Sequence, residues 1–161
     1  MTLHEAQRRL KPFDIRREVA ESIQATEDAY LVLNRKQLRR GRDKNDNYLS
    51  PKYSEDPYFK SKEAALRYAN WKKSIDVQTD KPFDVPNLYI NGRFHNSLHL
   101  VANTRVIDFI SASPDAKGIE QKFNQNKIYG LTDESKAKYI PENLFPELKQ
   151  RITSKLGFGF K

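Results

Sequence analysis

From Asp14 to about Leu38 apolar residues recur every three or four positions. Ile15, Val19, Ile23, Thr26, Tyr30, Leu33 and Gln37 fall on one mainly apolar stripe, which predicts a long amphipathic N-terminal helix over residues 14–38. Asp14 can cap its start, with Pro12 just ahead, and Gly41 can stop it. Glu18, Glu21, Glu27 and Asp28 come early, while Arg35, Lys36, Arg39 and Arg40 come late, the order that a helix dipole favours.

The pattern then breaks. Residues 41–60 are rich in Asn, Asp, Pro and Tyr and predict an extended, solvent-facing loop. Its tyrosines, Tyr48, Tyr53 and Tyr58, are costly to leave in water and are expected to dock on the domain or on a neighbouring subunit. Ser61 can cap a second helix, about Lys62 to Ser74, with Ala65, Leu66, Ala69 and Trp71 on its buried side. A connector, 76–86, contains Pro82 and Pro86.

Alternation appears next. Leu88 to Ile90 reads as a short strand, and Phe94, Asn96, Leu98 and Leu100 alternate with His95, Ser97, His99 and Val101. Val106, Ile107, Phe109 and Ile110 follow the turn Ala102-Asn103-Thr104, so residues 94–111 predict an antiparallel hairpin. Asp115 to Asn124 reads as a short helix, Tyr129-Gly130-Leu131 as a turn, and Thr132 with Ser135 as the start of another helical stretch. Pro141 begins a predicted C-terminal helix over 141–156, with Leu144, Phe145, Leu148 and Ile152 on one side, and 157–161 is read as a flexible tail. The expected fold is therefore α+β, one domain over 1–161, with its sheet inside a core segment, 87–131.

Composition narrows the function. With 161 residues, 37% hydrophobic and 31% charged, the chain suits one domain with a modest core and much surface or interface. It has no cysteine, which excludes a disulfide, a thiolate nucleophile and a Cys-based zinc site. The N-terminus lacks the apolar core of a signal peptide, and no run approaches the roughly 18 apolar residues of a membrane span. Net charge is +8, concentrated most sharply in Arg35, Lys36, Arg39, Arg40, Arg42 and Lys44. Such a cluster can face DNA or an acidic partner, and it also suits a solvated helix C-terminus.

Candidate chemistry is sparse. His95 and His99 on one strand would lie roughly 13 Å apart, too far to share a metal ion. Ser97 lies between them, but adjacent strand residues point to opposite faces, so neither histidine is placed to act on it. No nucleophile elbow, P-loop or dinucleotide fingerprint occurs. The expectation is a non-enzyme with no catalytic residue, metal or cofactor. Tyr48, Tyr53, Tyr58, Phe59, Tyr68 and Trp71 interleave with Lys and Arg, which can stack single-stranded bases, so a stand-alone basic nucleic-acid-binding protein is the alternative expectation.

The order of elements resembles the neck and tail-completion proteins of tailed phages. After an amphipathic helix comes a "Y-S-P-x-Y"-like segment, here Tyr48-Leu49-Ser50-Pro51-Lys52-Tyr53. A pattern "L-x-x-x-G-x-F-x-x-S" is matched by Leu88, Gly92, Phe94 and Ser97. A pattern "L/I-E-x-K-F/Y-G" is matched by Ile119, Glu120, Lys122 and Phe123, with Asn124 where the family often has glycine. Ile128 to Thr132 match "I-F/Y-G-L-T/S". The resemblance spans about residues 14–155 and rests on order and spacing. It implies a virion structural protein, made in the host cytoplasm, that forms a six- or twelve-fold ring at the head–tail junction. The ring would join a portal or adjacent neck protein to a tail protein and line the DNA channel, touching packaged DNA without reading its sequence. No membrane is involved. In that setting Arg35, Lys36, Arg39, Arg40, Arg42 and Lys44 would face DNA or an acidic neighbour, and Tyr48, Tyr53, Tyr58, Phe158 and Phe160 would anchor intersubunit contacts.

Overall fold

A computed structural model describes residues 13–76 and 80–157, together with positions 4, 5 and 8. The fold is α+β: among the described residues, helices pack against one face of a two-stranded antiparallel sheet. The stripe over 14–38 forms two helices rather than one long helix, α1 (Ile15–Ala25) and α2 (Glu27–Arg39). Asp14 caps α1 as expected, its carboxylate accepting from the Arg16 and Arg17 amides. The break falls at Thr26, where ψ is 23°. The Thr26 hydroxyl bonds back to the Ser22 carbonyl at 2.8 Å and meets the Tyr139 hydroxyl at 2.6 Å. Back-bonding by a threonine competes with the helical ladder and bends it. Ile15, first on the predicted stripe, is exposed, while Ile23, Tyr30 and Gln37 are buried.

The segment 41–60 is a largely exposed loop with one short 3-10 turn, pinned to the domain at a few buried residues. Gly41 ends α2 with φ +70°, and its carbonyl accepts from Leu49 at 2.8 Å. The Asp43 carboxylate holds the Asn45 and Asn47 amides. Leu49 enters the core, and Tyr53 begins a 3-10 turn, Tyr53–Glu55, pinned by its amide to the Asp84 carbonyl. Helix α3 (Lys62–Ile75) starts at a Ser61 cap. Ala65 and Ala69 pack with Tyr53, Phe59 and Tyr68 in a small second core, while Leu66 and Trp71, expected to be buried, lie exposed.

The hairpin is shorter than the alternation suggested, and Leu88 to Ile90 form no strand. Gly92 at φ +80° leads into a helical turn, α4 (Arg93–Asn96), so the first three positions of the predicted strand, Phe94 to Asn96, are helical. Strands β1 (Leu98–Ala102) and β2 (Ile107–Ser111) pair with Leu98 opposite Ser111 and Ala102 opposite Ile107. The turn closes through the Asn103 carboxamide, which accepts from the Arg105 and Val106 amides. Leu98 and Leu100 face inward, against α1 and α2.

Helix α5 (Ala116–Phe123) ends at Asn124, at φ +60°, where α6 (Gln125–Ile128) begins. Thr132 caps α7 (Asp133–Tyr139) by accepting from the Ser135 amide. Pro141 does not begin the C-terminal helix. It lies in a wider π-helical turn, Ile140–Leu144, through which α7 runs into α8 (Phe145–Leu156). The wider turn accommodates the missing amide and the ring of a mid-helix proline. Phe145 is exposed, contrary to its predicted face. The last helix returns to the first: Arg151 and Lys155 pair with Glu18 and Glu21 across the α1–α8 contact. The main core gathers Leu31, Leu38, Leu98, Leu100, Ile128 and Leu131. Tyr30 contacts Phe109 and Tyr139, and Phe109 stacks on Tyr129 at 4.8 Å between centroids.

Candidate functional site

Two surfaces stand out. The first is the outer edge of the sheet. Leu100 and Ala102 turn their backbone groups away from β2, toward α1 and α2. The Leu100 amide donates to Glu27 Oε1 at 2.8 Å, the Gln24 side-chain amide donates to the Leu100 carbonyl at 3.0 Å, and the Ala102 amide donates to Gln24 Oε1 at 3.1 Å. That edge of β1 is sealed by helix side chains. The alternation of antiparallel bonding then turns the backbone groups of Ile107, Phe109 and Ser111 outward along β2. Among the described residues these groups make no hydrogen bond. The face of the hairpin opposite the core carries Val101, Asp108, His99 and Ile110, all exposed.

The second surface is an aromatic groove of about 430 Å³ between α3, the 53–60 segment and α5. Tyr58, Phe59, Tyr68 and Trp71 follow one another along one wall, with centroids 5.1 to 5.3 Å apart. Tyr53 forms the base, and burial raises its hydroxyl pKa, as it does for Tyr68. Ile119 and Phe123 of α5 form the opposite wall. Asp56 is buried and ion-paired with Lys122. Lys72 also reaches the groove, and burial lowers its pKa to about 8 against an opposing attraction from Asp76.

The basic cluster divides: Lys36, Arg40 and Arg42 line one cleft with Lys138, Asp46 and Glu134, while Arg35, Arg39 and Lys44 lie outside it. Arg39 is tied to the buried Asp76 and lies over the Tyr89 ring at 4.8 Å. Arg40 pairs with Asp80. Arg42 donates to the Asp46 carbonyl and covers the Tyr48 ring at 3.6 Å. Arg35 reaches the Leu98 carbonyl at 3.5 Å, and Lys44 lies against Gly130. Lys36 is exposed. The expected intersubunit tyrosines also separate. Tyr53 is buried within the chain, Tyr48 sits under Arg42, and Tyr58 is 79% exposed at the groove rim. Phe158 and Phe160 lie outside the described residues.

The histidines and Ser97 are apart in role. His95 is buried on α4, its Nε2 3.3 Å from the Asn87 carbonyl, and burial pushes its pKa down to about 4 with Arg39 and Arg35 adding repulsion. His99 is exposed beside Glu27. Ser97 bonds to Ser111 and to the Phe94 carbonyl. Among the described residues no cluster of His, Asp and Glu is placed to hold a metal ion, and no helix is long and apolar enough to cross a membrane.

Sequence reasoning missed a polar clamp. Asn34 donates to the Ile128 and Gly130 carbonyls, and Gln37 donates to the Gly130 carbonyl while accepting from the Thr132 amide. A carboxamide at Asn34, within three residues of the stripe's own Gln37, is the signal that could have found it. No protein-family model matches the chain, and no curated protein or solved structure matches it either.

Proposed function

We propose that the chain is an assembly subunit, a structural protein of the tailed-phage neck that forms an oligomeric ring between portal and tail and lines the DNA channel. The observation that carries this reading is the outer edge of β2. It offers unpaired backbone groups beside uncovered apolar side chains, the template on which another strand adds. The glycine positions of the motifs quoted for the resemblance are ones where the backbone needs a residue free of Cβ strain. Gly92, Gly130 and Asn124, the last standing where the family often has glycine, all take positive φ. The test is quantitative mass spectrometry of purified particles of the phage that encodes the chain. A ring subunit is expected at roughly six to twelve copies per particle, as closed rotational symmetry requires. Its absence from particles overturns the reading.

A further inference from the structure

We infer that the groove between α3 and α5 binds single-stranded nucleic acid by stacking bases on its aromatic wall, without reading sequence. The inference stands apart from the assembly reading, because it needs only one copy of the chain.

The wall is built for stacking. Tyr58 and Trp71 are 79% and 45% exposed at its two ends, with Phe59 and Tyr68 bridging them. Phe59 and Tyr68 are half-buried and pack edge-on or tilted at 5.1 to 5.3 Å, too close to admit a base between rings, so stacking over the groove of about 430 Å³ falls to the exposed Tyr58 and Trp71. The facing helix leaves room: a Cβ added at Gly118 would meet nothing within 4 Å. A wall of this kind accepts any base, since every base has a π-face.

Charge favours a polyanion over an apolar peptide. Lys72 and Lys122 line the groove but are committed, Lys72 buried beside Asp76 and Lys122 paired with Asp56, whereas Arg67 stands exposed one helical turn before Trp71. Lys60 and Lys62, which follow Phe59 in sequence, are exposed. The nearby carboxylates are occupied: Asp56 is paired with Lys122, and Glu63 accepts from its own amide and from Ser61. The arginines that looked like phosphate contacts in sequence are largely engaged elsewhere, with Asp76, Asp80 and Tyr48. The cations left for phosphates are Lys60, Lys62 and Arg67.

Trp71 is the single tryptophan, so its emission reports on the groove directly. The experiment is a titration of the full chain with a thymidine oligomer of about 15 nucleotides, near the upper site size of comparable stacking grooves, over a salt series. Saturable quenching that weakens as salt rises is expected. Tyr58→Ala, whose side chain is outside the core, should weaken binding roughly fivefold or more. Arg67→Ala should reduce the slope of log K against log salt by about 0.7. No quenching at low salt overturns the inference. So does equal quenching by inorganic polyphosphate, which has charge without bases, or an affinity untouched by Tyr58→Ala. Quenching that follows only protein concentration also overturns it, by assigning the groove to a second copy. Sedimentation of the same samples separates that result from failure of the ring reading.

Discussion

Single side chains hold this molecule together at places where backbone would otherwise be stranded. Asn34 is fully buried and its amide serves two carbonyls, Ile128 and Gly130, in a turn with no ladder of its own. Asn34→Ala leaves both acceptors short of a donor, with Gly130 retaining Gln37. A buried polar group left unsatisfied costs about 1–3 kcal/mol, so urea unfolding should show a loss of about that size. His95 sets a pH dependence. Its pKa falls from the ordinary 6.5 to about 4 on folding, chiefly through burial. The unfolded chain therefore binds the proton more tightly, and the neutral ring's contribution is full above pH 6.5 and is lost as pH falls toward 4. The loss should reach on the order of 3 kcal/mol. Carboxylates also titrate there, so the measurement is the difference between the wild type and His95→Gln in thermal melts from pH 7 to pH 4. The wild type should lose more stability than the variant. Equal losses would show that the ring does not stay neutral in the fold.

Elements were legible where the deciding contacts are local. Asp14, Ser61 and Thr132 cap the helices they were expected to cap, because a cap needs only its own next three residues. Gly41 was legible as a stop, but only half of its reason was. Its φ of +70° is written in the residue type, whereas the crowding is tertiary: a Cβ there would sit 2.5 Å from Val85 Cγ1 and 2.9 Å from the Pro86 carbonyl. Gly41→Ala thus combines left-handed strain, about 1–2 kcal/mol, with a clash against backbone. A loss of at least about 2 kcal/mol is expected by chemical denaturation, and a smaller loss would mean the Val85 segment yields. Long-range contacts explain the misreadings. Thr26 breaks the first stripe with help from Tyr139, more than a hundred residues away. Phe94 and His95 alternate like strand residues yet fold into α4 behind Gly92. In the arginine cluster, sequence shows the charges but not Asp76 and Asp80, which come from the other side of α3.

The whole molecule limits how copies can join. Among the described residues one sheet edge is closed by Gln24 and Glu27 and the other is open along β2, so strand addition to this sheet would have one address. Two β2 edges pairing antiparallel form a closed two-fold dimer and go no further. A ring therefore needs a second, different surface to receive each edge, such as an extended segment of the neighbour. Under the proposed assembly, either route would pass its first contact through Ile107, Phe109 and Ser111. Ile107 turns its amide outward, so Ile107→Pro removes a donor that the hairpin does not use and blocks an incoming strand. The variant should keep its fold by circular dichroism and sediment as an 18.8 kDa monomer at concentrations where the wild type associates. A wild type that oligomerises equally well with and without the substitution would move the interface off the sheet. An even, two-fold assembly that dissolves on substitution would keep the edge and replace the ring with a dimer as the unit that the neck reading must explain.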